Sequence, residues 1–192
     1  IVVVGNHQLA GIDISLMVDV GWRLIQGQLP YRDFICTLPP AFILGVKYAY
    51  QLFGVQWNAI LYADAIFASI SFLWIFGLLS GLLRHRLAAF LVALSIECAG
   101  VLPISYWWHN SLASVTAAIF FLSCLRYLSL PNRLSIQASY VAALMLFGMM
   151  KPNTALPLAA GAILLLFLAT PARARFTLLT VFSAGGLVLI LL

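Results

Sequence analysis

Seven side chains are of types that do proton-transfer or anion-binding chemistry: Asp13, Arg23, Arg32, Asp33, His109, Lys151 and Asn153. A carboxylate within hydrogen-bond reach of a weak nucleophile can take its proton as a general base, which makes Asp13 and Asp33 the catalytic candidates. The cations can hold developing negative charge, and arginine's fork suits phosphate oxygens. Four of the seven lie in Gly11–Gly54, a polar stretch with three of the five acidic residues and three of the eight prolines. A polar loop in so apolar a chain is where chemistry at a membrane surface would sit.

Six of the seven also have a plainer reading. Asp13 can cap a helix through the amides of Ser15 or Leu16. Asp33 can hold the turn Pro30-Tyr31-Arg32-Asp33-Phe34. Arg23 follows Asp19 by four residues and can pair with it along a helix. Lys151 can snorkel to the interface. His109 can belong to an aromatic belt with Tyr106, Trp107 and Trp108. Asn110 and Asn153 can bind sugar hydroxyls or cap the helices that follow them.

The elements that must position these groups follow from composition. The chain has 192 residues, 64% hydrophobic and 8% charged, with mean hydropathy +1.08. A soluble domain carries about 25% charged residues, so a soluble fold is excluded. The expected class is all-α: a polytopic transmembrane bundle of about six or seven spans, with a first outer loop of two interfacial amphipathic helices. Residues 1–4 read as the end of a truncated first span, 5–55 as the extracytoplasmic loop, and 56–192 as a bundle truncated at its C-terminus. Cys36, Cys98 and Cys124 suggest no disulfide framework.

Spans are expected at Asn58–Leu83, Leu87–Leu102, Ser111–Leu128, Ile136–Met150, Thr154–Ala169 and Phe176–Leu192. Alternating the turns puts Arg84, Arg86, Arg126, Arg133, Arg173 and Arg175 on one side and, among short turns, only Lys151 on the other. The arginine-rich side should be cytoplasmic. The long loop, the Tyr106–Asn110 turn and the Lys151–Asn153 turn then share the outer side, with Asp64 and Glu97 in the outer halves of their spans. Carboxyls inside spans are functional hypotheses by default; these two could pair with Arg23, Arg32 or Lys151, support a site, or stay hydrated near headgroups.

Within the loop, Asp13, Leu16, Met17, Val20 and Leu24 follow helical spacing, and Gly27 is a natural stop. Pro39-Pro40 opens a second helix that runs to about Phe53 and ends at Gly54. Both suit the interfacial plane; Lys47 argues against the second crossing the membrane.

The ordered set Asp13, a helix ending at Gly27, Pro30-Tyr31-Arg32-Asp33-Phe34, Pro39-Pro40 and Leu52-Phe53-Gly54 resembles the first outer loop of the GT-C glycosyltransferases. It is most similar to the protein O-mannosyltransferase and lipid A aminoarabinose transferase group. The resemblance covers about a quarter of the chain in motif and the rest in helix layout. Thr37-Leu38 stand where related enzymes often carry a charged residue, and their further spans and outer domain have no counterpart here.

That resemblance implies transfer of a sugar from a polyprenyl-phosphate donor to an acceptor (glycan, lipid or protein) on the extracytoplasmic side, in a bacterial inner membrane. By position Asp13 matches the family's base better than Asp19. Arg32, Lys151, His109, Arg23 and Asn153 are then the residues to hold lipid phosphate or substrate. No cofactor is implied. No H-x-x-x-H, cysteine pair or glycine-rich phosphate loop is present, and cytoplasmic turns account for the basic balance without nucleic acid. The competing readings are a transporter with Asp64, Glu97 and Lys151 along its path, and a non-catalytic membrane scaffold. A transporter is expected to show broken helices and paired repeats, of which the Pro152 turn is the only hint.

Overall fold

The computed structural model describes residues 12–101, 109–130 and 133–151, together with 153, 155, 157, 158 and 160. Six helices run through them and no strand does: α1 (Ile12–Ile25), α2 (Pro40–Phe53), α3 (Trp57–Leu82), α4 (Arg86–Val101), α5 (His109–Ser129) and α6 (Leu134–Met150). Helical backbone recurs at Asn153, Ala155, Pro157, Leu158 and Ala160. The expected segments at Ile1–Val4, Tyr106–Trp108, Arg173–Arg175 and Phe176–Leu192 lie outside the described residues, as does most of Thr154–Ala169.

The loop helices are built by local chemistry. Gly27 has φ 82°, which spares it the Cβ clash of a left-handed residue. Its amide donates to the Leu24 carbonyl and the Gln28 amide to the Arg23 carbonyl, so two helix-end carbonyls are satisfied in a Schellman arrangement. Pro40 opens α2 where its missing N–H costs nothing, and Gly54, also at φ 82°, closes it with a bond to the Tyr50 carbonyl. At 14 residues each, α1 and α2 are about 21 Å long, too short for a ~30 Å hydrocarbon core.

These two helices pack face to face. Met17, Val20 and Leu24 of α1 are buried against Phe42, Ile43, Val46, Ala49 and Tyr50 of α2. Gly21 makes the approach possible: a Cβ there would collide with the Val46 side chain and lie 3.1 Å from Tyr50 Cε2. Leu16, expected on the buried stripe, is 37% exposed. The stripe is centred on Met17, Gly21 and Leu24, and Leu16 falls about a quarter turn outside it. Burial of the Tyr50 ring raises its phenol to about 12, so it stays protonated.

Two helices are long and apolar enough to cross a membrane, Trp57–Leu82 and Asn110–Ser129. In the first, only 22% of the most apolar window is buried, whereas the core helix of a soluble protein would be mostly covered. Tyr62, Ile66, Ile70 and Leu73 form its exposed line at helical spacing. α5 lies centrally, touching α3, α4 and α6. α4 presents small residues inward: Ala89 and Ala93 are fully buried, and a Cβ on Gly100 would come within 2.6 Å of Val115 on α5. Small residues let helix backbones approach closely.

Candidate functional site

The two ends of the helix set differ in kind. At one end, Met17, Val20 and Leu24 of α1 and the buried face of α2 share a cluster with Ala59 and Ile60 of α3, Leu112 and Ala113 of α5, and Met150 of α6. The loop helices therefore sit over the start of α3, the start of α5 and the finish of α6. At the other end, Arg84 lies between α3 and α4, Arg86 opens α4, and an Nη of Arg126 donates to the Gly81 carbonyl. Arg133 precedes α6 at this same end.

The first end holds all the residues singled out as candidates. Asp13 lies in the first turn of α1, in helical register with Met17, Val20 and Leu24. His109 is the first residue of α5. Lys151 follows Met150 and closes α6 through its amide on the Phe147 carbonyl. Its ammonium donates to Asn110 Oδ1 at 2.8 Å, which ties the end of α6 to the start of α5. Asn153 is exposed and helical. The side chains of Asp13 and His109 lie outside what the structure describes, so both are placed by backbone alone.

The remaining candidates, Arg23, Arg32 and Asp33, are engaged within the loop. Arg23 Nε donates to Asp19 Oδ2 at 2.7 Å, an Nη reaches Gln28 Oε1 at 3.3 Å, and the guanidinium stands 5.5 Å from the centroid of the Phe34 ring. Arg32 forks onto Asp33 with bonds of 2.9 and 2.7 Å. Asp33 Oδ2 also accepts from the Leu29 amide at 2.8 Å. The turn closes with the Tyr31 amide on the Phe34 carbonyl, and Tyr31 adopts φ 66° at its exposed tip. The Arg32 fork and the Leu29 amide pull the Asp33 carboxyl down to about 2 and raise the Arg32 guanidinium. A carboxylate so stabilised as the anion is a poor proton acceptor at neutral pH.

Asp64 and Glu97 do not pair with Arg23, Arg32 or Lys151, which is a correction to one expected role. Those cations are taken by Asp19, Asp33 and Asn110 in turn. Glu97 Oε1 instead accepts from Ser71 Oγ at 2.5 Å, joining α4 to α3. Glu97 Oε2 and Asp64 Oδ2 are buried with no hydrogen-bond partner. Asp64 precedes Ser71 by seven residues, so the two lie on one face of α3 about two turns apart. Ser71 went unnoticed in the sequence because a serine inside an apolar span looks neutral. The spacing from Asp64 was the available signal.

Among the described residues, no group of three or more His, Cys, Asp or Glu side chains could hold a metal ion. Cys36 and Cys124 are buried thiols, and all three cysteines are free. No family model, no curated protein and no solved structure matches the chain.

Proposed function

We propose that this chain forms part of a membrane glycosyltransferase that moves a sugar from a polyprenyl-phosphate donor to an acceptor hydroxyl or amine, with Asp13 as general base. The observation that carries the reading is convergence at one end. Met17, one turn beyond Asp13, and Met150, immediately before Lys151, belong to the same buried cluster. A carboxylate and a cation then border one interfacial region, as deprotonating an acceptor and holding a leaving phosphate require. Asp33, committed to Arg32 and Leu29, serves the turn, and Asp19 pairs with Arg23; Asp13, where the resemblance puts the base, is the carboxylate we assign that role. Arg23 and Arg32 are each half-neutralised by a neighbouring carboxylate, so Lys151, with His109 and Asn153 beside it in the chain layout, is the main candidate to meet the lipid phosphate. The donor's lipid tail requires the site to lie at a membrane surface, and the exposed apolar line on α3 supports a bilayer setting.

The test is Asp13→Asn in the full-length protein. Transfer from a polyprenyl-phosphate sugar should fall by about 10²–10⁴-fold with the fold intact. Unchanged transfer by a folded variant sinks the assignment.

The buried, unpartnered oxygens of Asp64 and Glu97 favour a second reading, a transporter that moves a proton or cation along the α3–α4 seam. Under that reading Asp64→Asn abolishes coupled uptake, and Asp13→Asn leaves it intact.

A further inference from the structure

A cleft of about 400 Å³ opens at the opposite end of the molecule, among α3, α5 and α6. Its walls are unlike each other. One carries Arg126, Arg133, Ser135 and Ser139; the other carries Leu73 and Gly77, with Trp74 between them. Ser139 Oγ accepts from the Trp74 indole at 2.8 Å and lies 3.5 Å from Ser123 Oγ, so the polar wall is braced from behind. A Cβ on Gly77 would meet nothing within 4 Å, so the apolar side is open.

The charge in this cleft is uncompensated. Among the described residues, the ion pairs are Arg23 with Asp19 and Arg32 with Asp33, both in the loop at the far end. Neither Arg126 nor Arg133 has a carboxylate against it, and guanidinium does not lose its proton. Arg126 gives one donor to the Gly81 carbonyl, which anchors the group at the cleft. Two permanent positive charges, Arg126 anchored and Arg133 exposed, with nearby hydroxyls suit a phosphate. The apolar wall says which kind. Leu73 is 65% exposed and continues the exposed line Ile66, Ile70 and Leu73 along α3. A hydrocarbon chain laid on that line delivers its headgroup into the cleft, whereas a free anion would leave the line unused.

We propose that this cleft binds an anionic phospholipid, its phosphodiester held by Arg126 and Arg133 and an acyl chain lying along Leu73 and Ile70. Basic pockets between spanning helices hold anionic headgroups in this manner. The site stands apart from Asp13 and Lys151 and does not depend on the transferase reading.

The experiment uses the full-length protein in detergent, with phosphatidylglycerol, phosphatidylcholine and glycerol 3-phosphate as probes. Native mass spectrometry reads retained lipid, and thermal shift reads stabilisation. Phosphatidylglycerol should be retained over phosphatidylcholine, and Arg133→Ala should weaken that retention about fivefold, the effect of one basic residue at an anionic surface. Gly77→Phe should fill the open wall and displace the lipid without changing charge, which covers the case in which an arginine variant folds poorly. Equal retention of the two lipids, or unaltered binding in both variants, overturns the proposal. Stabilisation by glycerol 3-phosphate equal to that by phosphatidylglycerol also overturns it, by identifying a soluble-anion site.

Discussion

The ammonium of Lys151 and the side-chain carbonyl of Asn110 meet at 2.8 Å although 41 residues separate them in the chain. Between them lie α5 and α6, one running out and one returning. The contact fixes the start of α5 and the finish of α6 at one level. A neutral amide brings no charge to offset that of the ammonium, and the remaining N–H donors can still engage an anion.

If that level is a membrane surface, its accessibility is testable. In a variant with Cys36, Cys98 and Cys124 replaced by alanine, Asn110→Cys and Asn153→Cys should both react with an impermeant maleimide from one face of intact vesicles. Arg84→Cys should react only from the other face. Labelling of Asn110→Cys and Arg84→Cys from the same face removes the alternating layout and the interfacial site with it.

The Arg32–Asp33 turn makes a pH prediction. The carboxyl ordinarily titrates near 3.8 and is pulled to about 2 by the Arg32 fork and the Leu29 amide. A depressed value in the folded state means the carboxylate's contribution is fully present above 3.8. It is lost as pH falls through about 2. The pair is exposed, so the effect is local and weakened by salt. Carboxyl-carbon NMR titration should place Asp33 near 2, and Arg32→Gln should return it toward 3.8. An ordinary Asp33 titration in the unsubstituted protein would show that the fork does not persist in solution.

The contact of Gly21 with Val46 and Tyr50 predicts a packing defect. Gly21→Leu should separate α1 from α2 and cost about 1–3 kcal/mol, the usual penalty for overfilling a packed site. Val46→Ala in the same chain should restore part of the loss, because the two changes share one space. Thermal melts of the two single variants and the double variant measure the coupling. Simple additivity would mean the helices do not touch there.

Much of the helix layout was legible because its signals are local. Pro39-Pro40, Gly27 and Gly54 act on their own backbone, and the expected bounds fall within one or two residues of those observed. The Asp19–Arg23 pair was legible for the same reason, four residues being one helical turn. Partners distant in sequence were not. Ser71 and Glu97 are 26 residues apart, and Trp74 and Ser139 are 65 apart. Nothing in the identity of a serine says which neighbouring helix its hydroxyl will face. Asp64 was legible as an unusual residue in an apolar helix, but its unpartnered Oδ2 was not, because that depends on Arg23, Arg32 and Lys151 being engaged by Asp19, Asp33 and Asn110. The arginine-lined cleft was hidden because Arg126 and Arg133 read as ordinary members of a basic turn.

If α3 and α4 both cross a bilayer, as the proposed function requires, the Ser71–Glu97 bond bears on how the protein is made. α4 has 16 residues, about 24 Å, and carries a carboxyl group. On its own such a segment is a poor candidate for partition into lipid, because a carboxyl within a spanning helix opposes insertion. With α3 already alongside, the hydroxyl is waiting and the carboxyl has somewhere to go. In that setting synthesis order supplies the arrangement, because α3 emerges first, and the two helices would enter together as a hairpin.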